Sequence, residues 1–177
     1  AKRKIYNSVI NLHNDWRGYN NLACTYMKEN NHSKARNLLS KAEEVGGKQS
    51  DILINEGILA AWAGSLKHAQ TKYNQGNVGE KNQAMLDIRK GDYEKAARYF
   101  KNSKSHNGVL AQLMNGNTNI NCNDKSGPCH YLNAIIAARR GENELVLSNL
   151  SKAIAENPNY KKEASIDLEF IILRMND

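Results

Sequence analysis

The chain has 177 residues, of which 40% are hydrophobic, and its formal net charge is +7. This length and apolar content allow a substantial core in one domain, and two prolines with twelve glycines argue against disorder. No run approaches about 18 apolar residues, so we expect no membrane insertion.

The basic charge is concentrated near the beginning of the chain. Residues 1–48 hold nine Lys and Arg against four Asp and Glu. Such a surface can face nucleic acid, an anionic membrane or an acidic protein. Because the basic residues do not alternate with aromatic side chains, we interpret them as a solvated face and expect no nucleic-acid partner.

The first predicted element is a helix over residues 1–14. Apolar side chains between Ile5 and Ile10 recur at helical spacing. They are consistent with the second helix of an earlier repeat. Residue 1 is Ala and not Met, so we expect a fragment or a processed form, and the lack of a visible signal peptide decides nothing.

Residues 16–49 and 50–83 share one skeleton, 34 residues apart. Four pairs of positions coincide: Ala23 with Gly57, Asn30 with Gly64, Ala35 with Ala69, and Leu39 with Tyr73. In each segment an apolar stripe with steps of three and four residues is followed by a polar turn and a second stripe. A fixed period of this length is typical of stacked helix pairs that cannot bury their apolar faces alone.

The first unit resembles the tetratricopeptide repeat (TPR). The residues that carry the resemblance are Tyr19, Leu22, Ala23 and Tyr26 on a first helix, and Ala35, Leu39 and Ala42 on a second. Weaker versions occupy 50–76, 78–104, a degenerate 105–129, and 130–159. We expect a glycine to turn the chain within each: Gly64, Gly91, Gly116 and Gly141. The resemblance implies an all-α, right-handed α-solenoid of antiparallel helix pairs, with residues 1–177 as a single domain.

Two stretches depart from this pattern. Residues 117–128 are rich in turn formers where a second helix should lie, so we expect a frayed or missing helix there. Residues 160–175 carry apolar residues between charges, which predicts a terminal helix that covers the last repeat.

The cysteines and histidines form no catalytic pattern. We interpret Cys24 as a small buried hydrophobe. Cys122 and Cys129 bracket six residues, with His130 next, so a disulfide is possible in an oxidising compartment and a metal site is conceivable. Because no fourth ligand is evident, we predict no metal site and no cofactor. The sequence has no nucleophile elbow, His-Glu-x-x-His motif or phosphate loop, so we predict that the chain is not an enzyme.

In TPR arrays the first helix of each unit lines a concave groove that binds extended peptides or helices. The resemblance therefore predicts these groove residues: Arg17, Asn20, Met27, Lys28, Ile54, Asn55, Ile58, Trp62, Lys81, Met85, Arg89, Tyr131, Ile135 and Arg139. Apolar side chains with a few cations suit a peptide with hydrophobic anchors and acidic groups. A subset of the family grips the terminal carboxylate of chaperones; here only Asn55 matches its pattern, so we predict no such binding.

Residues 131–139 and 147–154 resemble the TPR regions of cell-envelope proteins from the Bacteroides group. This implies a periplasmic or outer-membrane-associated module and favours a Cys122–Cys129 bond; otherwise the cytoplasm is expected. The leading hypothesis is a noncatalytic scaffold that binds a peptide or partner domain in the groove. The alternative is a structural or oligomerisation module of a larger envelope protein, with the groove filled by its own chain. RNA binding by the basic half is a more distant hypothesis.

Overall fold

A computed structural model describes residues 2–171, and this part of the chain is helical without any β-strand. The described residues form two compact units, divided between Lys90 and Gly91, which we name the N-terminal and C-terminal units. None of the helices within residues 2–171 combines the length and apolar character needed to cross a membrane. The single-domain organisation and the repeat boundaries stay predictions.

The N-terminal unit contains six helices joined by short turns. They are α1 (Lys2–His13), α2 (Trp16–Lys28), α3 (His32–Gly46), α4 (Ser50–Trp62), α5 (Leu66–Gly76) and α6 (Glu80–Lys90). The most extensive packing joins α2 to α3 and α4 to α5. Each helix also contacts the next one along the chain, and α2 touches α4. These helices therefore form successive pairs, as the 34-residue period predicts.

The two helices of a pair run antiparallel. The hydroxyl of Ser50, at the start of α4, donates a hydrogen bond to the carbonyl of Gly76, at the end of α5. The core between successive pairs is built from fully buried side chains contributed by α2, α3 and α4. Its members include Ala23, Ala35, Leu39, Ala42 and Ile52, each 0% exposed. Burying this apolar surface against the adjacent pair is the main source of stability in such units.

Small residues at the helix crossings allow this close packing. At Gly57 in α4, an added Cβ would lie 2.5 Å from the Cδ1 of Tyr73 and 3.3 Å from the carbonyl oxygen of Ala69, both in α5. Tyr73 is only 3% exposed, so its ring fills the space that Gly57 leaves. The pairing of α4 with α5 therefore depends on the missing side chain at Gly57.

The C-terminal unit contains a helix pair, three further helices and a 3₁₀ turn. Its elements are α7 (Tyr93–Tyr99), α8 (His106–Met114), α9 (Gly127–Arg140), α10 (Asn143–Glu156), α11 (Asn159–Ile166) and the 3₁₀ turn Leu168–Phe170. The most extensive packing in this unit is between α9 and α10. Gly141, which joins them, has φ +74°, a backbone conformation that glycine adopts without strain.

Residues 115–126 form no helix, as the turn-forming sequence predicts. This segment, which we call the α8–α9 loop, is fixed by side chains from α9. The amide of Asn133 donates to the carbonyl of Cys122 and accepts from the N–H of the same residue, both at 2.9 Å. Arg140 donates to the carbonyls of Thr118 and Ile120. These bonds satisfy backbone groups that a helix would satisfy internally.

The structure corrects the predicted terminal helix. Helix α11 ends at Ile166, because Asp167 adopts an extended conformation and its carboxylate caps the 3₁₀ turn by accepting from the N–H of Glu169. Within this turn Phe170 is buried against α9 and α10. The predicted residues 172–175 lie outside the described residues.

Replacing Gly57 by Ala tests the crossing of α4 and α5. We expect a net loss of stability, because overpacking against Tyr73 costs about 1–3 kcal/mol and exceeds the gain in helix propensity of about 0.5–1 kcal/mol. The measurement is urea unfolding followed by circular dichroism. The matched control is Gly79→Ala, because nothing lies within 4 Å of an added Cβ there. Equal stability of the two variants would contradict the role of Gly57.

Candidate functional site

The N-terminal unit carries an open cavity of about 210 Å³ on the side where α4 and α6 approach each other. We call it the Trp62 groove. The residues that define it are Ile58 and Trp62 from α4, Tyr73 from α5, and Met85, Leu86 and Arg89 from α6. Four of the groove residues predicted from the sequence, Ile58, Trp62, Met85 and Arg89, therefore lie around one cavity. Whether a ligand occupies it stays a prediction.

The floor and walls of the Trp62 groove are mainly apolar, and the amide of Asn82 also lines the cavity. Tyr73 and Leu86 are buried at 3% and 1% exposure and form its base. Trp62 is 41% exposed, unusual for the largest apolar side chain. One face of its indole is supported by the ring of His32, with the ring centroids 5.5 Å apart. The indole is therefore held in place by the protein while part of it remains open to solvent.

Arg89 gives the rim of the groove a positive charge. It lies in the last turn of α6 and is exposed. Among residues 2–171, no carboxylate forms an ion pair with it. Burial raises the pKa of the nearby Tyr73 hydroxyl, and the charge of Arg89 opposes this shift. Its guanidinium is therefore available to an external anion.

The position of α6 beside this groove is set by a partly buried amide network. Gln70 of α5 and Gln83 of α6 exchange two hydrogen bonds of 2.9 and 3.0 Å, and Gln83 also donates to the buried carboxylate of Asp87. Because paired amides are strongly directional, they fix the register of α6 against α5. Met85 and Arg89 are thereby held on the groove side of α6.

The remaining predicted residues of the N-terminal unit lie elsewhere. On α2, Asn20 and Met27 are buried at 6% and 5% exposure, so their side chains are not presented to a ligand. Arg17 is exposed and pairs with the N-cap residue Asp15 at 2.5 Å. Asn55 of α4 donates to the Asn20 amide oxygen at 2.9 Å and to the sulfur of Cys24 at 3.3 Å.

Three further predicted residues of this unit keep some exposure but lie outside the Trp62 groove. They are Lys28, Ile54 and Lys81. Lys28 ends α2, and Lys81 lies in the first turn of α6. We therefore build the candidate site on the four predicted residues that line one cavity.

In the C-terminal unit, the predicted groove residues of α9 contact the segment 167–171. Tyr131 donates to the Asp167 carboxylate at 2.9 Å and stacks edge-on against Phe170. Arg139 forms a two-pronged ion pair with Glu169 and donates to the carbonyl of Leu113 at 3.0 Å. Ile135 packs between two core clusters. This face of α9 is thus engaged by the protein's own chain.

The structure joins Cys122 and Cys129 in a disulfide, with Cα atoms 5.3 Å apart, within the range that such bonds require. Both residues belong to a core cluster with Val109, Leu113 and Ile136. Cys24 is free and half-buried, and burial raises the pKa of its thiol.

Sequence reasoning missed Tyr73 and Leu86 as parts of the groove. Tyr73 belongs to a second helix, and Leu86 occupies a core position, so projection from first helices passed over both. The repeat register could have indicated Tyr73, because it occupies the same repeat position as Leu39. A large residue at this position faces the preceding helix.

The fold is similar to that of a crystal structure described as a tetratricopeptide repeat protein from Parabacteroides merdae ATCC 43184. The TM-score is 0.67 at 15% sequence identity, and the match covers 89% of this chain and 73% of that chain. No protein-family model matches the sequence, and no curated protein matches it. At this identity the likeness concerns the fold alone. The chain has the helical fold of a TPR protein, which confirms the fold class predicted from the sequence.

The Arg139–Glu169 pair predicts a pH-dependent stability. Arg139 holds the pKa of the Glu169 carboxyl below its ordinary value of 4.5. A lowered pKa in the folded state stabilises the fold above the ordinary pKa, and this contribution is lost as pH falls through the folded-state value. Both side chains are about one quarter exposed to solvent, which weakens the ion pair. We therefore expect Glu169→Gln to lower the free energy of unfolding by about 0.5–1 kcal/mol at neutral pH.

Urea unfolding of wild type and Glu169→Gln between neutral and acidic pH measures this contribution. The difference between the two proteins should shrink as pH falls below the ordinary pKa. Glu144→Gln, an exposed carboxylate in the first turn of α10, is the control and should show a smaller difference. A Glu169→Gln effect that stays constant across this pH range would disprove the role of the ion pair.

Proposed function

We propose that the chain is a noncatalytic protein-interaction module that binds an extended acidic peptide through the Trp62 groove. The observation that carries this proposal is the convergence of α4 and α6 on one cavity with a half-exposed Trp62 and with Arg89, which has no ion-pair partner within residues 2–171. These helices open successive pairs of the TPR pattern. In TPR proteins such helices form the surface on which peptides lie.

The size of the cavity argues for a peptide anchor and against a free small molecule. Cavities that enclose drug-sized ligands measure about 300–1,000 Å³, whereas this one measures about 210 Å³. A single large apolar side chain can enter between Ile58, Trp62 and Met85. Burying such an anchor on a rigid aromatic surface is the usual source of most of the binding energy at a peptide interface.

Charge supports an acidic group next to that anchor. Arg89 can bind a carboxylate with two parallel hydrogen bonds, a geometry that Lys cannot reproduce. The surplus of basic residues over 1–48 adds a longer-range attraction that raises the association rate of an acidic partner. The expected ligand therefore combines a large apolar residue with a nearby Asp or Glu.

The lining of the groove does not support catalysis. Among the described residues, those that line it include no carboxylate, histidine, serine or thiol, and burial raises the pKa of the one lining hydroxyl, that of Tyr73. Acid–base and nucleophilic mechanisms require such groups within hydrogen-bonding reach of a substrate. A binding role is the function that these side chains can perform.

Selection of a displayed peptide library on the wild-type chain, followed by calorimetric titration of the selected peptides, tests the proposal. We expect acidic peptides with one large apolar residue. Trp62→Ala should weaken their binding at least about tenfold, since a buried aromatic anchor is lost. Arg89→Glu should weaken binding by a similar factor and reduce its dependence on salt.

Two matched variants control for general effects. Tyr99→Ala removes an aromatic side chain of similar exposure, 43%, in the C-terminal unit. Arg36→Glu makes the same change in charge on α3, beside a different cavity. Tyr99→Ala should retain the wild-type affinity, and Arg36→Glu should lose only the small share that long-range attraction supplies. If no peptide is selected, or if the Trp62 and Arg89 variants bind as well as the controls, the proposal is wrong.

The alternative, a groove filled by the chain itself, is favoured by one observation. Residues 167–171 already cover Tyr131 and Arg139 on α9. If a second copy covers the Trp62 groove in the same way, sedimentation at increasing concentration should reveal a dimer that Trp62→Ala dissociates. A monomer at all concentrations would exclude this role for the groove.

A further inference from the structure

Four side chains with metal-binding atoms meet where the α8–α9 loop runs between its two helices. His106 is the first residue of α8, Cys122 and Asp124 belong to the loop, and Cys129 lies in the first turn of α9. Their candidate ligand atoms all lie within 4.8 Å of one another. The imidazole Nε2 of His106 lies 2.7 Å from the Oδ2 of Asp124.

The surroundings of this cluster are arranged independently of the disulfide. Asn133 of α9 fixes the backbone of Cys122 through two hydrogen bonds. The hydroxyl of Ser126 lies 2.5 Å from the Oδ1 of Asp124 and 3.2 Å from the Nε2 of His106. The four ligands are therefore held together by contacts that remain when the two sulfurs separate.

We propose that the reduced chain binds one Zn²⁺ at this cluster, through the thiolates of Cys122 and Cys129, the imidazole of His106 and the carboxylate of Asp124. Zinc in proteins is bound tetrahedrally by such ligands, at about 2.0–2.3 Å. Neighbouring ligand atoms of that tetrahedron lie about 3.3–3.8 Å apart. Reduction lets the two sulfurs separate to this spacing, and the His106 nitrogen and the Asp124 oxygen, 2.7 Å apart here, move outward to reach it.

The donor set selects zinc among the common cations. Two thiolates disfavour Mg²⁺ and Ca²⁺, which prefer oxygen ligands, and imidazole with thiolate is a usual combination for Zn²⁺. Both sulfurs are buried, at 4% and 0% exposure, which shields the metal–sulfur bonds from water. Asp124 is exposed and His106 half-buried, so the ion can enter from their side.

The disulfide and the zinc site exclude each other. A dithiol reductant supplies two electrons and two protons, which break the Cys122–Cys129 bond and give two thiols, while the dithiol becomes a cyclic disulfide. Zinc then displaces both thiol protons, which pass to the solvent. In the oxidised chain the disulfide links the loop to α9. In the reduced chain the ion links the loop to both α8 and α9, through His106 and Cys129.

In the sequence, His130 lies next to Cys129, and no fourth ligand is evident near the two cysteines. The structure supplies His106 and Asp124 as the remaining ligands, and His130 is not one of the four. The site could not be recognised from sequence spacing, because His106 lies 18 residues before Asp124 on a separate helix.

Zinc titration of the complete chain tests the proposal. The chain is reduced with a dithiol, freed of reductant under argon, and titrated with Zn²⁺ by calorimetry. A parallel titration with Co²⁺ reports thiolate ligation through the sulfur-to-metal charge-transfer absorption. We expect one ion per reduced chain and no binding to the oxidised chain. His106→Ala and Asp124→Asn should each weaken zinc binding at least about tenfold.

His130→Ala and Cys24→Ala are the matched controls and should bind zinc as the wild type does. Folding of the His106 and Asp124 variants is checked in the oxidised state, where the disulfide is intact. The proposal is overturned if the reduced wild type shows no sulfur-to-cobalt band. It is also overturned if the oxidised chain binds zinc equally well, or if the His106 and Asp124 variants bind like the controls. The cobalt spectrum decides even if a variant fails to fold.

Discussion

Close approach of paired helices at small residues is the constraint on which the described structure depends. Gly57 leaves room for the ring of Tyr73, and Ala23 and Ala35 are completely buried between α2 and α3. Larger side chains there would separate the helices and expose the apolar stripes that each pair presents to the next. The Trp62 groove depends on this close packing. Helix α5 contacts both α4 and α6, and all three helices line the groove.

Both units contain antiparallel helix pairs, but they differ in whether the candidate groove face is exposed or covered. In the N-terminal unit, the face shared by α4 and α6 keeps a partly exposed indole and the guanidinium of Arg89, for which the described part of the chain offers no ion-pair partner. In the C-terminal unit, the corresponding face of α9 is covered by residues 167–171, which supply a carboxylate to Tyr131 and another to Arg139. On α9, therefore, the aromatic and cationic side chains are engaged by two carboxylates from a segment of the same chain that contains a 3₁₀ turn.

The sequence predicts those features that arise from local signals. The 34-residue period predicts the helix pairs. The turn formers over 117–128 predict that no helix forms there. Both signals depend on residues that are close together in the sequence. Contacts between distant residues were not predictable in this way. Asp167 reaches Tyr131 across 36 residues, and Asp124 meets His106 across 18, and no periodicity encodes either contact. The candidate groove residues on α4 and α6 were predicted from the repeat register. Tyr73 and Leu86, which form the floor of the cavity, occupy core positions that the register does not mark as groove positions.

Native-state hydrogen exchange of the N-terminal unit tests most directly whether successive pairs stabilise one another. Helices α3 and α4 are enclosed by neighbours on both sides, whereas α1 has no buried residue. The account predicts that amides of α3 and α4 open with the highest free energies and that amides of α1 open with clearly lower ones. A single common opening free energy for all helices of the unit would contradict it.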